Sequence, residues 1–243
     1  MPEGPSIVIL KELAAPFKRK KVIAVTGNSK TQKERALGQV VTDFKSWGKH
    51  FLICFDDFTI KIHFMLFGSY RINEKRDVEP RLSLKFKNGE MNFYACSVKI
   101  LDGDLDEIYD WATDVMSDSW DVKGAKNKLR VNDKMLVCDA LLDQKIFAGS
   151  GNIIKNEVLF RTKIHPKSKA GALPARKLSE MIREVRNYSF DFLKWKKAYV
   201  LRKHWLAHTK KTCPRCNNPL KKEYMGQHNR RTFFCERCQV LYE

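Results

Sequence analysis

The chain has 243 residues, 43% of them hydrophobic, with Gly and Pro in ordinary proportion, so it can bury one large core or two modest ones. No apolar run approaches the roughly 18 residues a membrane span needs, and the first residues lack a signal peptide's apolar stretch; a soluble, intracellular, cytoplasmic protein with no membrane partner is expected. Forty-six Lys and Arg against 28 Asp and Glu leave a net charge of +18, which favours polyanionic partners, nucleic acid above all.

The opening MPEGPSIVILKELAA suits a helix over Ser6–Ala15, with Pro5 near its first turn and Pro16 limiting its end. From Lys20 to about Leu101 the texture is that of strands. VIAV, QVVTDF, KHFLICF, FTIKIHF and RLSLKF are β-branched or aromatic, and several alternate. Gly48-Lys49 enters one of these strands, which gives Lys49 a fixed place. Asn88-Gly89 marks a hairpin. His63–Gly68 (HFMLFG) ends one strand and begins a turn. Its Met65-Leu66-Phe67 run reads first as core, or as a wedge for a base stack if it lies on a DNA-facing loop. The expected architecture is an antiparallel β-sandwich or flattened barrel carrying the N-terminal helix on one side.

An acidic stretch, DGDLDEIYDWATDVMSDSWD, holds the expected domain boundary near residue 120. Beyond it the pattern turns helical over Asp133–Phe147, Asn152–Arg161, Leu173–Asn187 and Phe192–Ala207. Between the first two lies Ala148-Gly149-Ser150-Gly151-Asn152. Its glycines permit a tight turn, and the following helix start offers N–H groups to an anion, with the Asn152 side chain as a further donor. A plain helix–helix connection capped by Asn is the competing reading.

Seven cysteines divide into two groups. Cys54, Cys96 and Cys138 stand singly among apolar neighbours, as buried thiols do. Cys213-x2-Cys216 and Cys235-x2-Cys238, with 18 residues between the pairs, have the spacing of a zinc ribbon. Two disulfides are the alternative, disfavoured in a reducing compartment. Residues 201–243 carry ten Lys and Arg against three acids. Arg230 and Arg231 are expected at the turn of a hairpin between the cysteine pairs, where a guanidinium can hold phosphate in two-pronged fashion.

Taken in order, MPEGP, Gly48-Lys49, His63–Gly68, LLDQKIFAGSGNIIKNEVLFRTKIHP, Arg230 and the four cysteines resemble the formamidopyrimidine-DNA glycosylase and endonuclease VIII family, and its endonuclease VIII branch most. The resemblance implies an N-terminal catalytic β-sandwich (1–120), a helix–two-turn–helix region (121–210) and an antiparallel zinc finger (211–243). It implies a bifunctional DNA glycosylase/AP lyase of base-excision repair, acting as a monomer on double-stranded DNA that contains oxidised bases or abasic sites. After loss of Met1 the Pro2 amine would attack C1′, Glu3 would shuttle the proton, and Lys49 would hold a phosphate beside the lesion. Asn152 and Arg230 would grip flanking phosphates, and Met65, Leu66 and Phe67 would fill the space of the everted base. Cys213, Cys216, Cys235 and Cys238 would hold one structural Zn2+. PEGP, the three-residue wedge and the short interval before the zinc segment point to oxidised pyrimidines. A glycosylase preferring formamidopyrimidine or 8-oxoguanine, and a non-catalytic binder of damaged DNA, are the alternatives. The family usually has an acid four residues after the N-terminal proline; this chain has Ser6.

Overall fold

The computed structural model describes residues 2–243, and the chain divides after Tyr109 into two compact units. In the first, helix α1 (Gly4–Ala14) precedes strands β1 (Ala24–Thr26), β2 (Asp43–Trp47), β3 (His50–Cys54), β4 (Phe58–Ile72), β5 (Leu82–Phe86) and β6 (Gly89–Asp102), followed by the short helix α2 (Leu105–Ile108). The strands form one antiparallel sheet in the order β1-β5-β6-β4-β3-β2. An antiparallel bridge between Lys21 and Val40 joins the lead-ins of the two outermost strands, so the sheet's two edges meet, in keeping with the expected sandwich or flattened barrel. Inward residues such as Phe51, Ile53, Ile60, Ile62, Leu84 and Phe93 form the core, and α1 lays Ile7, Leu10 and Ala14 on it against β2 and β3. The predicted Asn-Gly hairpin joins β5 to β6 with Lys87-Asn88 as its two-residue loop and Gly89 at φ +144°.

One strand runs on past its expected end. β4 continues to Ile72, and residues 65–68 bulge out between the pairs Phe64↔Cys96 and Ser69↔Tyr94, four residues against Ala95 alone. Gly68 is required there. A Cβ at that position would lie 2.7 Å from the Phe64 Cβ and 2.8 Å from the Ala95 carbonyl oxygen.

The second unit, Asp110–Glu243, contains α3 (Val122–Val131), α4 (Val137–Ala140), α5 (Asn152–Arg161), α6 (Ala175–Lys197) and the hairpin β7 (Lys221–Met225) with β8 (Arg230–Phe234). The division falls earlier than residue 120, because most of the acidic stretch is tied to the helical segments after it. Val115 N–H donates to the Ala148 carbonyl, Arg186 donates to the Val115 and Ser117 carbonyls, and Trp120 packs on Phe147. The zinc-finger segment lies in the same unit as the helices, not as a third one.

Two helix expectations are corrected. Asp133–Phe147 is a single helical turn, α4, among tight turns. Its apolar residues are buried in succession and present no stripe, and Asp143 accepts from the Lys145 N–H, as a turn residue does. The helix expected over Leu173–Asn187 runs on without a break through Phe192 to Lys197 as α6, with Ser189 Oγ bonded back to the Val185 carbonyl inside it, while residues 198–207 of the second expected helix lie outside it and hold only a short 3-10 turn at Leu201–His204. Among the described residues, no helix is long and apolar enough to cross a membrane.

Helix α5 is unusual in burying polar side chains: Lys155, Asn156 and Glu157 are all inaccessible to solvent. Glu157 accepts from the N–H groups of Leu206, Ala207 and His208 (2.8–3.1 Å), so three successive amides of the segment leading to the cysteines are held by one carboxylate. Glu157→Gln replaces an acceptor oxygen with an amide aimed at those donors. It should lower stability in urea unfolding by about 2–3 kcal/mol and speed amide exchange at Leu206–His208.

Candidate nucleic-acid interface

In the first unit, Glu3 is the N-cap residue of α1 and is buried, while Pro2 beside it is half-buried. Gly4, Pro5 and Ser6 are buried as well, and the Ser6 N–H donates to the Glu3 carbonyl at 2.8 Å. A chain end normally frays; here the first helical turn is packed into the core that α1 shares with β2 and β3. Pro5 occupies one of the first two helical positions, where its missing N–H costs nothing.

Gly48 and Lys49 form the two-residue turn between β2 and β3. Gly48 at φ +53° fits the first position of the turn class whose twist matches the flanking strands. Beneath the turn lies a cluster that sequence reasoning missed, because His50, Trp47 and Tyr109 read as ordinary strand and loop residues. His50 and His63 are cross-strand partners with rings 5.2 Å apart, His50 Nδ1 and the Tyr109 hydroxyl hydrogen-bond at 3.1 Å, and Trp47 packs on both His50 and Tyr109. The His63 ring also hydrogen-bonds the Lys49 backbone. Burial, with Lys61, His63 and Lys49 nearby, pushes the His50 imidazole down to about 3, and burial beside Lys49 lowers His63 as well. Both rings are therefore neutral at physiological pH, and the positive charge of this corner is left to the lysines.

Met65, Leu66 and Phe67 sit on the β4 bulge and are 55%, 60% and 83% exposed, which excludes the core reading. Burying a side chain of this kind is worth about 1.5–3 kcal/mol. Three adjacent ones left in water form a concentrated apolar prow.

In the second unit, the Ala148–Asn152 loop leads into α5 as the sequence predicts. Gln144 pins it, accepting from the Gly149 N–H and donating to the Ser150 carbonyl. Asn152 Nδ2 donates to the Arg231 carbonyl (2.8 Å), Lys155 Nζ to Thr232 Oγ1 (2.7 Å), and the Phe233 N–H to Asn156 Oδ1 (3.3 Å). One helix thus holds three successive residues of β8. Asp139 of α4 fixes the hairpin tip by accepting from the Gln227 N–H. Arg230 and Arg231 are exposed and lie in β8 itself, not at its turn, which is formed by residues 226–229. The structure thereby joins Asn152 to the arginine strand, a pairing 79 residues apart in sequence.

The four ribbon cysteines converge, with all Sγ atoms within 4.8 Å of one another, Cys216 and Cys235 3.5 Å apart and Cys213 and Cys238 3.9 Å apart. Four sulfurs held tetrahedrally at about 2.3 Å from a metal would be about 3.75 Å apart, so the cluster fits a four-thiolate ion. Asn218 Nδ2 donates to Cys216 Sγ, as a donor supporting a thiolate does. The remaining cysteines are buried. Burial, the largest cause in each case, pushes Cys96 up to about 12 and Cys138 up to about 11, leaving inert thiols.

The neutral histidine corner predicts an acid sensitivity. His50 takes up a proton near its unperturbed 6.5 when unfolded but only near 3 when folded, so its contribution is complete above 6.5 and fades as pH falls towards 3. The urea midpoint of the native chain should drop further between pH 7.5 and 5 than that of His50→Gln; equal drops would refute this.

Known protein families match both units. Residues 1–97 fit the formamidopyrimidine-DNA glycosylase N-terminal domain and residues 111–189 the formamidopyrimidine-DNA glycosylase H2TH domain. Endonuclease 8-like 3 of Xenopus laevis is 28% identical over 98% of this chain and 40% of its own length. Endonuclease 8-like 2 of Bos taurus is 32% identical over 74% of this chain and 58% of its own length. The chain therefore spans less than two thirds of the length of these relatives. A crystal structure of Lactococcus lactis formamidopyrimidine-DNA glycosylase bound to AP-site-containing DNA superposes with a TM-score of 0.85 at 21% identity, over 98% of this chain and 99% of that one. The antiparallel sheet, the helical region and the cysteine-bearing hairpin follow that fold. By these matches the chain belongs to the formamidopyrimidine-DNA glycosylase and endonuclease VIII family of DNA-repair glycosylases.

Proposed function

We propose that the chain is a bifunctional DNA glycosylase/AP lyase that removes oxidised pyrimidines from double-stranded DNA, acting as a monomer. The observation that carries this reading is the burial of Glu3 at the start of α1, which gives Pro2 a fixed position next to a carboxylate. With Met1 removed, Pro2 carries a secondary α-amine. Chain-terminal amines titrate at about 7.7–8.0, roughly 2.5 below lysine, so a neutral nucleophilic fraction exists at physiological pH. Its nitrogen lone pair attacks C1′ as the C1′–base bond breaks, and the departing base takes up a proton. Loss of the amine proton and opening of the sugar give an iminium. That cation acidifies C2′–H, so elimination expels first the 3′-phosphate and then the 5′-phosphate. Glu3 delivers and receives the protons.

Lys49, held by its tight turn, is assigned to the phosphate beside the reacting sugar. Arg230 is assigned to a flanking phosphate together with the start of α5, where Asn152 has a second amide N–H beyond the one given to Arg231. Met65, Leu66 and Phe67 are assigned to the gap left by the everted nucleotide, whose extrusion costs a few kcal/mol. The cysteine cluster is assigned one Zn2+. Four protein ligands leave no open position, so the ion would brace the hairpin and take no part in the chemistry. The pyrimidine preference rests on the endonuclease VIII-like features: PEGP, the three-residue wedge, and only the short segment 198–212 between α6 and Cys213.

Borohydride reduction on abasic-site duplex should trap the Met-processed chain covalently. A chain with a blocked N-terminus should not be trapped, and Pro2→Thr should be trapped poorly. No adduct with the processed chain favours a non-catalytic damage binder, for which Ser6 in place of the family's acid is the supporting observation. Duplexes carrying thymine glycol or 5-hydroxyuracil should be cut faster than those with 8-oxoguanine or formamidopyrimidine; the reverse order overturns the branch assignment. Metal analysis should find one zinc per chain, and a strong chelator should abolish DNA binding before it melts the first unit.

A further inference from the structure

Where the two edges of the first unit's sheet meet, residues 19–23 run antiparallel to residues 38–41. The Val22 N–H donates to the Gln39 carbonyl, the Gly38 N–H to the Val22 carbonyl, and Lys21 bridges Val40. Three aliphatic side chains on this seam, Ile23, Leu37 and Val40, are each 42–55% exposed. An exposed aliphatic residue standing singly needs no explanation. Three on one short ladder, rimmed by charge, have the make-up of a protein-binding patch.

The rim is basic. Lys18, Arg19, Lys20 and Lys21 are consecutive and exposed, and among the described residues only Lys18 of the four meets a carboxylate, Asp43 at 2.6 Å. Lys85 and Lys87 join them from the β5–β6 hairpin. Both are exposed, on either side of Phe86, whose ring packs on Phe17 at 4.8 Å. Asn88 Nδ2 donates to the Pro16 carbonyl, and the Ile23 N–H to the Lys85 carbonyl, so hairpin and seam are tied together. The cations are also held in place. The Arg19 N–H donates to the Val41 carbonyl and the Val41 N–H to the Lys20 carbonyl, and a Cβ at Gly38 would lie 3.9 Å from Lys21 Cε. Charges on a backbone already ordered lose less freedom on binding.

This patch stands apart from the residues assigned to the reaction. Pro2 and Glu3 precede α1 and Lys18 follows it, and the eleven residues between span roughly 16 Å. Val40 lies before β2 and the Gly48-Lys49 turn after it, with five strand residues, roughly 17 Å, between them. Phosphates beside a reacting sugar do not account for a second group of cations at that remove, and phosphates offer aliphatic side chains nothing to bury.

We propose that the seam is a docking surface for an acidic segment of a partner protein. Its carboxylates meet Lys20, Lys21, Lys85 and Lys87, and its apolar side chains cover Ile23, Leu37 and Val40. Charge complementarity sets the acidity of the partner, and the aliphatic centre calls for a polypeptide instead of a sugar–phosphate backbone. The surface goes beyond the glycosylase reading and uses none of the residues assigned there.

The test is anisotropy of the full chain with three fluorescein-labelled probes: a synthetic peptide alternating Glu with Leu and Phe, a poly-Glu peptide of equal charge, and a lesion-free duplex. The amphipathic peptide should bind more tightly than poly-Glu. Ile23→Ser combined with Leu37→Ser should weaken the amphipathic peptide roughly tenfold, about 1.4 kcal/mol, and leave poly-Glu and duplex binding unchanged. Leu37→Ser alone, at the more exposed position, should keep the native Tm and show part of the same loss. Lys20→Glu combined with Lys21→Glu should weaken both peptides roughly tenfold or more and the duplex far less. Equal binding of the two peptides overturns the proposal, as does an equal loss of duplex binding in the Lys20→Glu, Lys21→Glu chain, which would make the seam a DNA surface. Self-association of the native chain in sedimentation that Leu37→Ser abolishes overturns it too, by making the occupant a second copy. Covalent trapping on abasic duplex is scored separately and should be unchanged in these variants, so failure of the glycosylase reading and failure of this one are distinguishable.

Discussion

The polar residues of α5 are the constraint on which the second unit depends. Asn152, Lys155 and Asn156 hold three consecutive residues of β8, and Glu157 holds three consecutive backbone amides of residues 206–208. An apolar helix face could bury as much area, but it would let the hairpin slide along it. Directional bonds fix register, and those of the buried Lys155, Asn156 and Glu157 are costly to leave unmade. The exposed Arg230 and Arg231 inherit that precision, because the Arg231 backbone and the two residues after it are bolted down. A surface charge whose stem does not have to be ordered on binding loses less conformational entropy when it meets an anion.

The first unit solves the same problem with backbone geometry. Lys49 stands on a two-residue turn whose strands, β2 and β3, continue in register for five pairs, and Glu3 is locked by the helix start next to it. Neither position depends on a long side chain reaching across solvent. The neutral histidine pair under the turn adds packing without charge, which keeps an already basic corner from repelling itself.

How much of this is legible in the amino-acid order depends on the kind of signal each element carries. The strands of the first unit are readable because β-branched and aromatic residues recur with period two, and α5 because Gly149 and Gly151 punctuate its start. The cysteine cluster is readable because metal geometry demands paired short spacings. α3 is not, since only Ala125 and Leu129 of its ten residues are buried and its lysines leave little apolar pattern. Asp133–Phe147 misleads in the opposite sense: burial on all sides imitates a helix's apolar density without its periodicity. The bulge on β4 reads as a strand end because nothing local says that pairing resumes at Ser69. The histidine corner and the buried polar residues of α5 are long-range constructions, with partners 59 and 49 to 77 residues away, and no window of sequence contains them.

The β4 bulge has a consequence for how such a chain can change. Phe64↔Cys96 closes it on one side and Ser69↔Tyr94 on the other, and the sheet beyond keeps its register whatever lies between. Within the bulge, Gly68 is the position sterically committed. Positions 65–67 are therefore a cassette, open to replacement without propagating an error into the core. Selection can rewrite the apolar side chains this edge of the protein exposes while the scaffold that carries them stays the same.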